Sequence, residues 1–384
     1  MNLKPFRHFT GNKKTIIYDF GPNWFAVVMG TGIVSMMING FPFSFKGQRT
    51  ISLVIYILNL IFLSLISLTT AARYIMKPRK MIELLEDPTA SLFLGAIPMG
   101  LSTIVNGTVG LFPKSQYPHT PNIALVLWGI ELFFSMFSYF VVPMYSLFIH
   151  KNTIDKLSPY CMLPMVPLIV SSAAGTAIAE ILDPDRAHIV LLFSYLFWGM
   201  GTVCYIYVPT YLVRLYLYGY PPKEMLITIF ITVGLFGQSA NAIMRMGHNS
   251  AKLFPITVPQ VPYLGQACEV CGMVIGLPLD GFAAFFFIQS VGSIWYTFSR
   301  NETKFNLSWW GVIYPVGTFN LGMLSLTDSL NSMAFRVFSS FIIISLATIW
   351  IYVFQKTVYG VWTGKIFVTP PPLPTTVRKY EQSP

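Results

Sequence analysis

The sequence predicts an all-α integral membrane fold: ten transmembrane helices, paired as five helical hairpins around a central pore in a quasi-fivefold arrangement. Three observations predict it. Of 384 residues, 54% are hydrophobic and 10% charged, whereas a soluble globular domain carries roughly 25% charged residues. Uncharged runs close to the ~20 residues that cross a bilayer recur from end to end. Five short phrases, Val28-Met29-Gly30-Thr31, Pro98-Met99-Gly100-Leu101, Val166-Pro167-Leu168, Phe236-Gly237-Gln238 and Pro315-Val316-Gly317-Thr318, place a proline or glycine at mid-span at intervals of roughly seventy to eighty residues. That period is too long for one helix and right for a hairpin. One loosened helix per hairpin is therefore expected to face a shared axis.

Runs free of Asp, Glu, Lys and Arg cover residues 20–45, 51–72, 88–113, 157–179, 187–213, 225–244, 305–327 and 337–355. Two further spans carry one acid each, 121–148 with Glu131 and 272–299 with Asp280. In the first span Trp24 suits the interfacial belt, Gly30 and Gly32 permit close helix contact, and Thr31 and Ser35 share a face at i, i+4. The second, apolar all round, is expected to face lipid. The third returns to the loosened type with Pro98, Gly100 and Gly107, and offers Ser102, Thr103 and Asn106 as neutral hydrogen-bonding groups. Glu131 in the fourth is a functional position by default, with pairing to a neighbouring helix as the alternative. In the fifth, Pro164 and Pro167 set a kink ahead of Ser171, Ser172, Gly175 and Thr176, and Glu180 closes the span near the outer face. The sixth is aromatic and lipid-like. The seventh groups Gly234, Gly237, Gln238, Ser239 and Asn241, with Arg245 at its outer end; the segment 247–267 then reads as an outside loop capping the outer mouth. Asp280 in the eighth is expected to partner a helix dipole or an arginine. The ninth, 306–326, is uncharged throughout and carries Tyr314, Pro315, Gly317, Thr318, Asn320 and Gly322. The tenth begins near Arg336.

An even number of spans puts both termini on one side. Of the 25 Lys and Arg, 18 fall in the segments that share that side and 7 in the opposite loops, which makes the termini cytoplasmic. Residues 1–19 then form a cytoplasmic arm, 20–362 the transmembrane domain and 363–384 a proline-containing cytoplasmic tail. The net charge of +10 reads as topology and contact with the lipid bilayer, not as a nucleic-acid footprint, because no basic stripe is interleaved with exposed aromatics. The Cys268–Cys271 pair has no second pair to complete a metal site. No HExxH, nucleophile elbow or phosphate loop is present, so no enzyme activity, metal or cofactor is expected. A multi-span receptor or intramembrane enzyme finds no supporting residues.

The odd-numbered spans share an absence of fixed charge at mid-depth. Their candidate lining is Thr31 and Ser35; Thr103 and Asn106; Ser171, Ser172 and Thr176; Gln238, Ser239 and Asn241; and Thr318 and Asn320. Gly30, Gly100, Pro167, Gly237, Pro315 and Gly317 are the expected kink positions. Hydroxyl and amide hydrogens and the N-terminal ends of half-helices hold an anion loosely enough for it to leave. Small anions are therefore the expected cargo. With the cell interior negative, each anionic charge moving outward gains about 2.3 kcal/mol per 100 mV, so efflux needs no coupling ion. Glu131, Glu180 and Asp280 keep proton-coupled uptake open. Tyr314, one residue before Pro315, is the candidate gate, its ring lying across the conduit; an interface or packing tyrosine is the alternative.

The strings NWFAVVMGTGIVS, IPMGLSTI, VPLIVSSAAGTAIAEIL, FGQSANAI, FNLSWWGVIYPVGTFNLG and AFRVF resemble the tellurite-resistance/dicarboxylate transporter family over nearly all of residues 23–358. That family includes bacterial tellurite-resistance proteins, plant slow anion channels, yeast malate permease and fungal sulfite efflux transporters. The SSAAGT run with Glu180, the Gly237-Gln238 pair and GKIFVTP near the C-terminus resemble the sulfite branch, whereas HFTGN and GFPF are shared with the malate branch. The resemblance implies ten helices in five hairpins around a conduit, a homo-oligomer, trimeric in structurally known relatives, and a phenylalanine gate in the ninth helix. It implies a plasma-membrane exporter of sulfite or hydrogensulfite, with a proton-coupled malate or dicarboxylate transporter as the alternative. Where the family usually has Phe before the proline, this chain has Tyr314, whose hydroxyl adds an anion-binding group to the ring.

Overall fold

The computed structural model describes residues 20–150, 152–219, 227–299, 305–364 and 366, and among them it contains helices and no strand. The expected arm, 1–19, and most of the tail, 363–384, lie outside the described residues. Helix α1 (Phe25–Asn39) is followed by α2 (Gln48–Met76), a short α3 (Arg79–Glu86), α4 (Ala96–Leu111) and α5 (Thr120–Phe148). Next come α6 (Val166–Ala179), α7 (Pro184–Gly201) with its continuation α8 (Tyr207–Tyr218), α9 (Phe230–Thr257), α10 (Leu264–Phe298), α11 (Trp310–Leu330) and α12 (Met333–Thr363).

Two sets of contacts organise these helices. Successive helices pack in pairs, α1 with α2, α4 with α5, α6 with α7, α9 with α10 and α11 with α12. The first members of the pairs also touch in turn: α1 meets α4, α4 meets α6, α6 meets α9, α9 meets α11, and α11 returns to α1. Burial follows the same division. The apolar window of Ile227–Thr257 is 89% buried, whereas those of Gln48–Met76 and Thr120–Phe148 are 28% buried. Every residue of α6 is enclosed. Lipid tails are as apolar as leucine, so helices associate in a bilayer through close packing of small side chains, and the small residues of this chain are concentrated in the enclosed helices.

Seven helices among the described residues are long and apolar enough to cross a membrane. Those at α1, α6 and α11 are not among the seven. Helices α1 and α6 have only 15 and 14 residues, because each is entered through a 3-10 turn, Pro22–Trp24 and Pro159–Met162. Similar turns, Ser91–Gly95 and Leu307–Trp309, precede α4 and α11. Helix α11 interrupts its apolar content with Thr318, Asn320 and three glycines.

Several expectations need correction. Pro167 stands in the first turn of α6, where a missing N–H costs nothing, so it starts the helix and does not kink it. Gly30, Gly100, Gly237 and Gly317 stand inside α1, α4, α9 and α11, and Pro315 stands inside α11, where proline removes an i to i−4 hydrogen bond. What the glycines provide is close approach. A Cβ on Gly317 would stand 2.3 Å from Cγ1 of Ile33, one on Gly237 2.4 Å from Cα of Phe319, and one on Gly30 2.7 Å from the Trp310 ring. Helix α2 is not apolar all round: Ser52, Tyr56 and Asn59 are buried and face α1 and α4. The expected outside loop over 247–267 is mostly helix, since α9 continues to Thr257 and α10 begins at Leu264. Arg245 therefore sits inside α9, not at its end.

Gly237→Ala forces its methyl against the backbone of α11, which cannot yield as a flexible side chain would. The expected loss is about 1–3 kcal/mol, read as a lower melting temperature of the purified protein. Gly129→Ala, whose Cβ would meet nothing within 4 Å, is expected to leave the melting temperature unchanged or slightly raised.

Candidate functional site

Two cavities lie inside the succession α1, α4, α6, α9 and α11. The larger, ≈ 100 Å³, sits toward the ends where the enclosed helices begin, with Asn23, Phe93, Tyr160, Leu163, Leu307 and Trp310 among its lining. The smaller, ≈ 10 Å³, lies toward the other end among Met36, Ser102, Asn106, Asn241, Arg245 and Leu321. A space of that size holds about one water. Gln238 and Tyr314 are the two residues that line both cavities. Both are buried, at 3% and 6% exposure, so one aromatic ring and one amide form the neck between the two spaces. The neck is set by backbone approach, because Gly234 of α9 leaves only enough room for Pro315 of α11: a Cβ there would stand 3.0 Å from the proline Cα.

The candidate lining residues divide sharply. Gln238, Asn241, Thr103 and Asn106 reach a cavity. Most hydroxyls do not. Ser35 and Ser52 exchange hydroxyl-to-carbonyl bonds across α1 and α2, each at 2.8 Å. Thr31 accepts from the Trp350 indole of α12 at 3.3 Å. Thr103 accepts from Asn59 at 3.1 Å besides lining the smaller cavity. Ser172, Thr176 and Thr318 donate to carbonyls of their own helices at 2.7, 2.7 and 2.9 Å. Asn320 donates to Sδ of Met37 at 3.3 Å, and the backbone carbonyl of Ser239 accepts from Trp198 at 3.2 Å. With no water to satisfy it, a short hydroxyl side chain reaches back to the carbonyl three or four residues earlier.

Ser171 is bound elsewhere. Its Oγ donates to Glu131 Oε1 at 2.6 Å, and Ser135 Oγ lies 2.9 Å from it. Glu131 is fully enclosed, so of the two roles open to it, contact with a neighbouring helix is the one observed. Trp128 completes the group by donating from its indole to the Ser171 carbonyl at 2.9 Å. Asp280 has neither an arginine nor a hydrogen-bond partner for its carboxyl oxygens among the described residues. It packs instead on the bare backbone of Gly322, where a Cβ would lie 2.2 Å from Oδ1. The residue that sequence reasoning placed wrongly is Arg245, which lines the smaller cavity and pairs with Glu180 at 2.7 Å. Its i+7 spacing from Gln238 was the available signal.

Enclosed helices that surround two cavities meeting at one aromatic neck, within a chain that carries membrane-crossing helices, define a multi-pass membrane transport protein. The chain belongs to the SLAC1 voltage-dependent anion channel family, which matches residues 19–358. It is similar to a sulfite efflux pump of Trichophyton rubrum, 29% identical over 91% of this chain and 93% of the relative. It is also similar to a sulfite efflux pump of Saccharomyces cerevisiae, 26% identical over 83% of this chain and 82% of the relative. A malic acid transport protein of Schizosaccharomyces pombe is 24% identical over 92% of this chain and 83% of the relative.

Glu131→Ala removes the acceptor of Ser171 and leaves a hole in a fully enclosed place. The expected cost is about 2–4 kcal/mol, seen as a lower melting temperature. Glu131→Gln fills the same volume and still accepts from Ser171, so its melting temperature is expected to lie much nearer that of the unaltered protein.

Proposed function

We propose that this protein exports sulfite or hydrogensulfite across the plasma membrane, through a conduit in which Tyr314 is the gate. The observation that carries the reading is the pair of cavities joined at Tyr314 and Gln238. In this reading ten helices cross the bilayer as five hairpins in quasi-fivefold order, α1, α4, α6, α9 and α11 form the wall, and residues 20–362 are one transmembrane domain. Both termini are cytoplasmic, so the larger cavity opens to the cell interior. Gln238 and Asn241 are the lining residues best supported, because their side chains reach a cavity, with Thr103 and Asn106 beside them. The hydroxyls of Ser35, Ser172, Thr176 and Thr318 are reassigned to holding helices together. The protein acts as a transporter, not an enzyme, and as a homo-oligomer, with a trimer as the assembly to test first.

The lining favours an anion. Neither cavity is lined by an acid, and amide N–H groups attract an anion without the tight hold of a buried cation. Efflux follows from the potential, about 2.3 kcal/mol per charge per 100 mV. The sulfite assignment draws on the names of the fungal relatives. A second reading, malate transport, is favoured by the fission-yeast relative, which matches 92% of the chain at 24% identity.

Flux of labelled sulfite and malate in proteoliposomes, with and without a pH gradient, separates the two. Sulfite flux without a proton gradient is the expected result; proton-stimulated malate uptake with no sulfite flux refutes the proposal. Tyr314→Ala is expected to raise basal sulfite flux severalfold, since removing the ring joins the two cavities. Unchanged or lost flux in a folded variant assigns the ring to packing.

A further inference from the structure

The smaller cavity has a charged end that the reading above does not use. Among the described residues Arg245 is the one charged side chain lining either cavity. Gln238, Asn241 and Arg245 are spaced by three and then four residues on α9, so they lie along one face of the helix. Asn241 Oδ1 accepts from Ser325 at 3.1 Å, and what the amide has left to offer is N–H. Gln238, 3% exposed, lines both cavities, and its amide oxygen, an acceptor, has no partner among the described residues. The donors that follow one another away from the Tyr314 neck are the NH2 groups of the Gln238 and Asn241 amides and the N–H groups of the guanidinium.

Glu180, at the C-terminal end of α6, already occupies part of the guanidinium. Arg245 Nη2 donates to Glu180 Oε1 at 2.7 Å, one contact of a fork that carries five N–H donors. The side chains remain 31% and 39% exposed. An ion pair in contact with water is worth little, so exchanging one anion for another at this guanidinium is cheap.

We propose that Arg245 is the outer anion-binding site of the conduit and that Glu180 is its built-in competing carboxylate. The ligand class is a small oxyanion or carboxylate. An anion past the neck moves along Gln238 and Asn241 to Arg245, takes the open donors, and leaves as Glu180 reclaims the guanidinium. A lone arginine at the mouth would hold the anion, and a lone glutamate would repel it. The tethered carboxylate keeps the site attractive but weak, which conduction requires. This inference rests on the proposed transport reading.

The test is anion-dependent thermal stability of the purified full chain, titrated separately with sulfite and with nitrate at constant ionic strength. Glu180→Gln is expected to lower the apparent Kd roughly twofold to fivefold, the order of effect of losing a competitor held in an exposed ion pair. Adding Arg245→Gln is expected to abolish that gain. An unchanged Kd in Glu180→Gln, or a gain that survives loss of Arg245, overturns the proposal. Should Arg245→Gln fail to fold, Arg245→Lys in the Glu180→Gln background replaces it, with a Kd expected between those of the unaltered protein and Glu180→Gln; a Kd equal to that of Glu180→Gln is equally fatal. Sulfite efflux from proteoliposomes, run in parallel, refutes the cargo reading alone if it fails, while the nitrate titration still decides the role of Arg245.

Discussion

Gly237 of α9 lies so near α11 that an added methyl group would stand 2.4 Å from the Phe319 Cα, and Gly317 of α11 is as close to Ile33 of α1. The first contact brings the backbones of α9 and α11 to a separation that only glycine allows, and in the second the Ile33 side chain fills the place a Cβ would take; the site follows from both. Helices this close leave no room for large side chains on their facing surfaces, so bulk such as Trp310 and Phe319 is accommodated where the glycines make space. Two cavities lie on either side of the crossing. At the level between them stands Tyr314, held by the fit of Gly234 against Pro315. The neck is thus a consequence of helix packing, and its position along the axis is set by the close approaches of residues next to it, Gly237 beside Gln238 and Pro315 beside Tyr314.

A second constraint acts on the polar lining, the cost of an enclosed polar group without a partner, which is met at most positions but not at Gln238 Oε1, Ser239 Oγ or the Asp280 carboxyl among the described residues. Many serines and threonines meet it locally, because their hydroxyls reach a carbonyl three or four residues earlier. Ser172, Thr176 and Thr318 do this and so are removed from the conduit chemically while remaining beside it in sequence. The smaller cavity collects Gln238, Asn241 and Arg245, together with Thr103 and Asn106, which line it while also bonding carbonyls of their own helix.

These two rules also explain what was legible in the sequence. The recurring Pro and Gly phrases were visible because close approach needs glycine at defined places, and they fall in α1, α4, α6, α9 and α11, which touch in succession. Pro167 makes no kink, since it occupies the first turn of its helix, as Pro98 does in α4, whereas Pro315 stands inside α11. Hydropathy ended the seventh span before Arg245. Yet the polar residues beyond it are bound by other helices: Asn249 donates to the Thr176 carbonyl and Ser250 meets Tyr195, so α9 carries on to Thr257. The stripe Ser52, Tyr56, Asn59 was readable from its i, i+4, i+7 spacing, but the overall apolarity of α2 concealed it. Asp280 had no sequence signal for its place against Gly322, because that contact depends on the register of α10 against α11.

The two cavities differ in lining as well as size, and the difference bears on kinetics, not on direction. The larger is walled mainly by apolar and aromatic residues with Asn23, Tyr160 and Ser308 among them; the smaller ends at a guanidinium. Under the proposed orientation an anion leaves the larger inner space, passes Tyr314 and meets N–H donors beyond it. Such a gradient of positive partial charge lowers the barrier on the far side of the neck equally for outward and inward passage, and net flow is set by the concentration gradient and the membrane potential. What the asymmetry fixes is where the anion dwells. By the proposed role of Glu180, that place is one from which a tethered carboxylate can dislodge it. A path that ended instead in neutral amides would dislodge nothing, and a path that ended in an unpaired arginine would retain what it had carried; the ion pair at the mouth reconciles attraction with release.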